Sequence, residues 1–252
     1  MSAPVFLADP GSLDAVADGG TYLLGGTEGR HAGVVQRRGP GERVDVVDGA
    51  GVRLVGVVGA VTADGVLVQV QRRVVEPRPQ VALVLVQALA KGDRDEMAIE
   101  AATEVGVDAV VPWQAERSIV VWRGDRAAKS RARWLGTVRA AAKQSRRAHV
   151  PDVGVALDGR GLVERVRDVV AAGGAALVLH EDATEAIAAV GLPDVGECLV
   201  VVGPEGGIGD AELARLVEAG ARAVRLGPHV LRTSTAGPVA LALLAQRLGR
   251  WG

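Results

Sequence analysis

The sequence predicts an α/β fold built on a parallel sheet and preceded by a smaller β domain. Beyond residue 80, unbroken apolar runs alternate with helical patterns, whereas the first 75 residues hold valine-rich runs separated by Asp-Gly pairs. Apolar strands that alternate with helices are typical of a parallel sheet covered on both faces. Asp-Gly between apolar runs is a strong hairpin signal. We therefore expect two domains of different architecture.

The first domain is predicted to be a small antiparallel β-barrel or sheet. A short helix with a threonine cap is expected over Thr27-Glu28-Gly29-Arg30-His31. Three strands follow, at 43–47, 52–61 and 66–75. The prolines of Glu76-Pro77-Arg78-Pro79 favour extended backbone and interrupt this pattern. The predicted domains are therefore 1–75 and 76–252.

The second domain is predicted to alternate strands with helices. The strands are expected at 81–89, 109–111, 175–179, 198–202 and 221–226. The helices are expected at 93–105, 125–147, 161–171, 210–218 and 235–248. Because the carboxyl ends of parallel strands meet at one edge of a sheet, the loops that follow them are the natural place for a ligand.

Composition excludes several classes of protein. Apolar residues make up 48% and charged residues 23% of the chain, as in ordinary globular proteins, and no stretch approaches a membrane span. The N-terminus lacks the basic region of a signal peptide, so we expect a cytoplasmic protein. The single cysteine, Cys198, excludes an internal disulfide and a cysteine-built zinc site. Its place in an apolar strand predicts a core residue.

Positive charge is concentrated in one segment of a chain whose net charge is only −1. Residues 117–147 contain ten Lys/Arg and one acid, Asp125. Such a segment favours a polyanionic partner, and the alternative is a solvated helix face. Trp113, Trp122 and Trp134 lie in or beside it and are the candidates for base stacking, although Trp134 fits a core position better.

Two glycine-rich loops follow predicted strands. GPEGGIGDAE at 203–212 is neither a Walker A loop nor a dinucleotide fingerprint, and alone it also fits a tight turn with Asp210 capping the next helix. LGPHVLRTSTAG at 226–237 joins another strand to another helix. A third strand end runs into His180-Glu181-Asp182. We expect the three loops to line one crevice.

These motifs resemble the SPOUT superfamily of S-adenosylmethionine-dependent RNA methyltransferases, and within it the RsmE family, which methylates N3 of a uridine in 16S ribosomal RNA. GPEGG and LGPHVLRT carry the resemblance. Arg30-His31, Lys91-Gly92-Asp93-Arg94, Glu116-Arg117-Ser118, Gln144-Ser145-Arg146-Arg147 and Val150-Pro151 support it in order and spacing. One departure is Thr233-Ser234-Thr235, where the family often has Thr-Glu-Thr, which puts a catalytic carboxylate at position 234 in doubt.

The resemblance implies a C-terminal SPOUT domain with a trefoil knot, a PUA-like RNA-binding barrel before it, and a homodimer. It also implies that the knotted loops bind S-adenosylmethionine. The cofactor-binding residues would be Leu179, His180, Gly203, Pro204, Glu205, Gly206, Gly207, Ile208, Leu226, Gly227, Val230, Leu231, Arg232, Thr233 and Ala236. Glycines allow the backbone to approach a ligand closely, and a carboxylate suits a sulfonium cation better than a lysine does.

Arg232 and Glu205 are the predicted catalytic residues. Uracil N3 carries a proton that must leave, so the reaction needs a proton acceptor and stabilisation of the developing anion. Arg232 is the candidate for that stabilisation or for a neighbouring phosphate, the alternative being a salt bridge to a partner subunit. Glu205 is a candidate base or, preferably, an organiser of its loop. The reaction requires no metal.

The expected partner is 16S ribosomal RNA or the assembled small ribosomal subunit, with no membrane involved. RNA binding is assigned to Arg30, His31, Arg37, Arg117, Arg123, Arg131, Arg146 and Arg147. Three alternatives remain at this point. They are a SPOUT enzyme that acts on transfer RNA or on 2′-hydroxyls, a non-catalytic ribosome-assembly factor, and a nucleotide-binding α/β enzyme acting on small molecules.

Overall fold

The computed structural model describes residues 3–251, and the chain divides into two compact units. The first unit comprises Met1–Arg78 together with Ala142–Val150. The second comprises Pro79–Ala141 and Pro151–Gly252. The sequence placed a boundary at residue 75, three residues before Arg78, and did not signal the return of 142–150 to the first unit.

The first unit is built on a five-stranded sheet in the order β1-β3-β4-β5-β2. Strands β3, β4, β5 and β2 pair antiparallel, and β1 pairs parallel with β3. The two Asp-Gly hairpins are therefore confirmed. The strands are Val5–Leu7 (β1), Thr21–Leu24 (β2), Arg43–Val47 (β3), Val52–Thr62 (β4) and Gly65–Val75 (β5).

Alternation along the strands builds the core of this unit. Buried and half-buried residues alternate along most of β4, which turns one face of the sheet onto Phe6, Leu13 and Leu24. The short helix spans Gly26–Arg30 (α1) and continues as a π-helical turn, His31–Val35. The prediction of a threonine cap was wrong, because Gly25 occupies the N-cap position and no side chain caps the helix.

The segment 142–150 is tied to the first unit by packing and by charge. Ala148 is buried with Val5 and Val47. The Lys143 ammonium lies 2.7 Å from a Glu28 carboxylate oxygen and 5.2 Å from the centre of the Phe6 ring. These contacts join residues more than a hundred positions apart, which explains why no local pattern predicted them.

The second unit is a six-stranded sheet in the order β11-β9-β10-β6-β7-β8. Every neighbouring pair is parallel, so the predicted parallel sheet is confirmed. Its strands are Val81–Ala88 (β6), Ala109–Trp113 (β7), Asp152–Val153 (β8), Ala175–Leu179 (β9), Gly196–Val202 (β10) and Arg222–Val224 (β11). Its helices are Arg94–Glu104 (α2), Asp125–Gln144 (α3, in this unit as far as Ala141), Gly159–Ala171 (α4), Asp210–Glu218 (α5) and Thr233–Arg247 (α6).

Helices cover both faces of this sheet. Val84 and Val86 of β6 belong to a core shared with residues of α4 and α5. Leu85 points the other way and meets α6, where a Cβ added to Gly237 would lie 2.8 Å from a Leu85 methyl carbon. Gly237 thus lets the first turns of α6 approach the sheet closely. Cys198 lies in β10 with no exposed surface, which confirms it as a core residue, and burial raises the pKa of its thiol to about 12.

The tryptophans beside the basic segment are core residues. Trp113 and Trp134 are fully buried, and Trp122 is 8% exposed and packs edge-to-face on Trp134 at 5.3 Å between ring centres. The expectation that Trp113 and Trp122 stack on bases was therefore wrong, because burying a large aromatic ring in the core is strongly favourable. Within residues 3–251, no helix is long and apolar enough to cross a membrane.

Candidate functional site

Three strand ends meet at one edge of the parallel sheet. Strand β9 lies between β10 and β11, so the loops that follow the three strands emerge side by side. They surround a cavity of about 890 Å³, which we call the strand-end cavity. This volume falls within the range of roughly 300–1,000 Å³ that is typical of small-molecule sites.

Every residue that the sequence assigned to the cofactor lines the strand-end cavity. The structure thus brings together the ends of all three loops, as expected from the parallel topology. The lining residues are Arg94, Arg117, Leu179, His180, Glu181, Asp182, Val202, Gly203, Pro204, Glu205, Gly206, Gly207, Ile208, Asp210, Arg225, Leu226, Gly227, Pro228, His229, Val230, Leu231, Arg232, Thr233 and Ala236.

The glycine-rich loop, residues 203–209, turns sharply between β10 and α5. The amide of Gly207 donates to the carbonyl of Pro204 at 2.9 Å, and Gly207 has a φ of +72°, which L side chains rarely adopt. A Cβ at Gly203 would lie 2.7 Å from the Ile208 side chain, so the loop is folded back on itself. Helix α5 is capped by Gly209 rather than by the Asp210 side chain, which lies in the first turn.

Glu205 holds the glycine-rich loop to the loop that follows β6. Its Oε1 accepts from the Arg94 guanidinium at 2.6 Å and from the backbone amide of Lys91 at 3.2 Å. Partial burial alone would raise the pKa of Glu205, but hydrogen bonds from its own amide, from Arg94 and from Lys91 outweigh burial and lower it. A carboxylate with a lowered pKa is a poor proton acceptor, so this geometry favours Glu205 as an organiser of the loop.

A second pair of contacts fixes the other side of the glycine-rich loop. The Arg117 guanidinium donates to the carbonyl of Gly206 at 3.0 Å. The neighbouring amide of Glu116 donates to Oε1 of Glu212, a side chain of α5 that is only 2% exposed. Burial, and secondarily the charge of Glu116, raise the pKa of Glu212 despite the hydrogen bond from the Glu116 amide. A buried carboxylate thus positions the turn that carries Arg117.

Arg232 stands at the start of α6. It is the N-cap residue, and its carbonyl accepts from the amides of Thr235 and Ala236. Its side chain is exposed and lines the strand-end cavity. Across the described part of the chain, 3–251, its guanidinium makes no ion pair or hydrogen bond, which leaves it available to an anion. Ser234, where a catalytic carboxylate was in doubt, is half-buried in the first turn of α6.

Sequence reasoning missed Arg94 and Glu212 as parts of this site. Arg94 belongs to the quoted Lys91-Gly92-Asp93-Arg94 motif, so a signal existed, but nothing in the sequence paired it with Glu205 across 111 positions. Glu212 looks like an ordinary acid in the first turn of a helix. Only the fold shows that it is buried under the turn at Glu116.

The residues assigned to RNA fall in different surroundings. In the first unit, Arg30, Arg37 and Arg146 are exposed, His31 packs edge-on against Phe6 at 6.2 Å between ring centres, and Arg147 is half-buried. In the second unit, Arg123 is exposed and Arg117 lines the strand-end cavity. The Arg131 guanidinium donates to the carbonyls of Val153 and Gly154, which gives it a structural task.

Metal-binding groups are not part of this picture. Among residues 3–251, there is no cluster of three or more His, Cys, Asp or Glu side chains that could hold a metal ion.

Comparison with known proteins places the chain in a family. A family model described as an RNA methyltransferase domain matches residues 76–245. The ribosomal RNA small subunit methyltransferase E of Mycobacterium tuberculosis is 48% identical over 95% of this chain and 92% of its own length. The protein of that name in Bacillus subtilis is 35% identical over 66% of each chain.

Solved structures agree with this placement. The ribosomal RNA small subunit methyltransferase E of Neisseria gonorrhoeae, bound to S-adenosyl methionine, has a TM-score of 0.83 at 28% identity and covers 98% of both chains. A Legionella pneumophila protein in complex with the cofactor SAM has a TM-score of 0.82 at 27% identity, also over 98% of both chains. With its family model, its relatives and its fold in agreement, the chain belongs to the ribosomal RNA small subunit methyltransferase E family.

Proposed function

We propose that the chain transfers the methyl group of S-adenosylmethionine to N3 of a uridine in 16S ribosomal RNA of the small ribosomal subunit. The observation that carries this proposal is the strand-end cavity, in which three strand-end loops converge, two of them with the family's motifs. They lie beside Arg232, whose guanidinium has no partner among residues 3–251. The relatives' names supply the substrate class, and two related structures were solved with the cofactor bound.

The residues of the strand-end cavity fit S-adenosylmethionine. The glycine-rich loop carries no cation that would repel a sulfonium, and its one charged side chain, Glu205, is an anion. A Cβ at Gly227 would meet no protein atom within 4 Å, so the backbone there is open to a ligand. We assign the cofactor to the loops at 179–180, 203–208 and 226–233, with Ala236 of α6. When bound, the cofactor supplies an electrophilic methyl group.

Arg232 is the residue that we assign to catalysis. The attacking uracil nitrogen must pass its proton to a base or to water, and a nearby guanidinium stabilises the resulting uracil anion. Arg232 is exposed at the rim of the cavity and unpaired throughout residues 3–251, so its charge is free for that anion. Glu205 is already engaged by Arg94, so we assign it the task of holding the loop rather than of accepting the proton.

RNA contacts are assigned to the cations that the fold leaves exposed. In the second unit these include Arg123, Arg126, Lys129 and Arg139, on α3 or just before it. Arg133 pairs with Glu96 and Arg131 with backbone carbonyls, so those two are less suited to phosphate. In the first unit Arg30, Arg37 and Arg146 are exposed and remain candidates. The buried tryptophans leave phosphate attraction, not stacking, as the main source of affinity.

The finer architecture follows from the family resemblance. We propose that the first domain, near 1–75, is PUA-like. We propose that the second domain, near 76–252, is of the SPOUT type, with a trefoil knot formed by the loops of the strand-end cavity. We also propose that two chains form a homodimer. The all-parallel order β11-β9-β10-β6 and the mainly antiparallel first sheet support this assignment. The cytoplasm, where ribosomal subunits are assembled, is the proposed compartment.

Titration of the protein with S-adenosylmethionine tests the proposal. We expect saturable binding to the wild type and to Arg232→Ala, because we assign the Arg232 guanidinium to the RNA base and only the backbone of its loop to the cofactor. The same Arg232→Ala protein is expected to lose methyl transfer to small ribosomal subunits. If the wild type shows no binding with or without RNA present, the chain is not a methyltransferase and an RNA-holding assembly factor becomes the better account.

A further inference from the structure

Strand β6 contains a polar side chain in an otherwise apolar interior. Gln87 follows the run Val81-Ala82-Leu83-Val84-Leu85-Val86 and has no exposed surface. An amide buried in the middle of a sheet is costly unless it is hydrogen-bonded, and an apolar side chain would fill the same space without that cost. Its presence therefore needs an explanation that core packing does not give.

Gln87 begins a chain of hydrogen bonds that ends in the glycine-rich loop. Its Nε2 donates to Oγ1 of Thr233 at 2.9 Å. The Thr233 hydroxyl donates to the carbonyl of Gly203 at 2.8 Å. Since a carbonyl only accepts, the single hydroxyl proton of Thr233 belongs to Gly203, and Thr233 must accept from an N–H of Gln87. This order fixes the orientation of the Gln87 amide, and the Thr233 hydroxyl acts as both donor and acceptor.

Gln87, Gly203 and Thr233 belong to three different elements: strand β6, the glycine-rich loop and helix α6. The site requires these elements to keep fixed relative positions. Gln87 pairs in register with Val202, the residue before Gly203, in the neighbouring strand β10. Gly203 opens the glycine-rich loop and Thr233 opens α6, and both line the strand-end cavity. Thr233 directly follows Arg232. The chain of hydrogen bonds therefore sets the distance between the cofactor loop and the backbone that carries the arginine.

We infer that Thr233 and Gln87 are positioning residues for methyl transfer, a role that rests on the proposed function. They act by joining the glycine-rich loop to the start of α6, so that Arg232 stands at a fixed place relative to the bound cofactor. Neither side chain is required to touch the reacting atoms. Gln87 does not line the cavity, and the hydroxyl of Thr233 is committed to Gly203 and Gln87.

The test replaces the hydroxyl while keeping the shape of the side chain. Thr233→Val is expected to lower the rate of methyl transfer at saturating cofactor by about tenfold or more, because small misplacements of a catalytic group are costly. Thr233→Ser, which retains the hydroxyl, is expected to restore most of that rate. Gln87→Met, an apolar side chain of similar size, is expected to act in the same direction as Thr233→Val. Thr103→Val removes a buried hydroxyl from α2, away from the cavity, and is the control for loss of stability.

A double-variant cycle separates positioning from mere support of the fold. Arg232→Lys keeps the positive charge without the guanidinium and is expected to retain a measurable rate, so it is the partner variant in the cycle. If Thr233 acts through Arg232, adding Thr233→Val will lower the rate of Arg232→Lys by much less than it lowers the rate of the wild type. Full additivity of the two losses, or a wild-type rate in Thr233→Val, would overturn the inference while leaving the proposed function intact. A wild type that transfers no methyl group to small ribosomal subunits would instead overturn the proposed function itself.

Discussion

We propose that Glu205 holds the site together and does not accept a proton. Its Oε1 receives the Arg94 guanidinium at 2.6 Å and the Lys91 amide at 3.2 Å. These donors stabilise the charged form and lower the pKa of the side chain. The ion pair joins the start of α2 to the glycine-rich loop, and both Arg94 and Glu205 line the strand-end cavity. The ion pair therefore contributes to the shape of the strand-end cavity, which we propose as the cofactor site.

Glu205→Gln distinguishes this role from that of a general base. Loss of the charge is expected to weaken cofactor binding several-fold and to change the rate at saturating cofactor by less than about tenfold, whereas loss of a general base costs about 10²–10⁴. Arg94→Met should have the same effect, since it breaks the same pair. Steady-state kinetics with varied S-adenosylmethionine measure both quantities. A hundredfold fall in rate for Glu205→Gln, but not for Arg94→Met, would make Glu205 the base.

Glu212 couples the stability of the second unit to pH. Burial raises the pKa of its carboxyl above the ordinary 4.5, so the folded state holds the proton more tightly than the unfolded chain does. The protonated Glu212 carboxyl therefore contributes to the stability of the folded state. This contribution is complete below pH 4.5 and is lost as pH rises through the pKa of the folded state. Each unit by which the pKa is raised corresponds to about 1.4 kcal/mol.

Urea unfolding across this pH range tests the prediction. As pH rises above about 4.5, the free energy of unfolding of the wild type is expected to fall relative to that of Glu212→Gln, because glutamine does not titrate. Glu218→Gln, on the exposed face of the same helix, is the matched control and should track the wild type. Parallel pH profiles for Glu212→Gln and the wild type would show that Glu212 has an ordinary pKa.

At the scale of the element, the 226–232 loop and helix α3 each present a surface that the fold itself does not use. A Cβ at Gly227 would meet no heavy atom within 4 Å, although the residue lines the strand-end cavity. On α3, Arg126 and Lys129 are exposed, whereas Arg131 is bound to backbone carbonyls. Open space at Gly227 and cations on α3 without a partner among residues 3–251 mark the groups that we propose for binding, whereas Arg131 supports the fold.

Gly227→Ala reports on the cofactor without disturbing the protein. Since the added methyl meets only open space, the melting temperature is expected to stay within about 2 °C of the wild type. Binding of S-adenosylmethionine is expected to weaken by about tenfold or more, because the methyl occupies room needed for close backbone approach. Gly136→Ala, on α3, also meets no neighbouring atom and is the control. Unchanged affinity in Gly227→Ala would remove this loop from the cofactor site.

Lys129→Ala and Arg131→Ala are expected to change different properties, RNA binding in the first and stability in the second. Lys129→Ala is expected to leave stability unchanged and to reduce the salt dependence of RNA binding by roughly 0.7–0.9 in slope, the share of one phosphate contact. Arg131→Ala is expected to cost about 1–2 kcal/mol of stability through its lost carbonyl contacts. Filter binding at several salt concentrations, with thermal melts in parallel, measures both. The reverse pattern would assign the phosphate contact to Arg131.

At the scale of the whole molecule, regular elements were predictable and distant pairings were not. The long strands and helices between residues 43 and 247 appear in the structure with small shifts at their ends, because apolar periodicity reports local burial. Strands β1, β2 and β8 have two to four residues and leave too short a pattern to detect. The attachment of 142–150 to the first unit depends on Ala148 meeting Val5 and Val47, a contact without local signature.

The site divides in the same way. The three loops of the strand-end cavity were predictable, since motif resemblance named two of them and parallel topology brings strand ends together. What joins the loops was not, because Glu205–Arg94 and Gln87–Thr233 link positions 111 and 146 residues apart. The position of the tryptophans beside the basic segment misled for a physical reason, because these side chains are core residues in the fold.

The most direct test of the central claim is methyl transfer to small ribosomal subunits that lack the modification, followed by mass spectrometry of the digested nucleosides. We predict that the wild type transfers the methyl group of S-adenosylmethionine to one uridine and that the product is N3-methyluridine. Arg232→Ala should bind the cofactor yet leave that uridine unmodified. A methyl group found on a ribose 2′-oxygen or on transfer RNA, or no transfer by a wild type that binds the cofactor, would contradict the account.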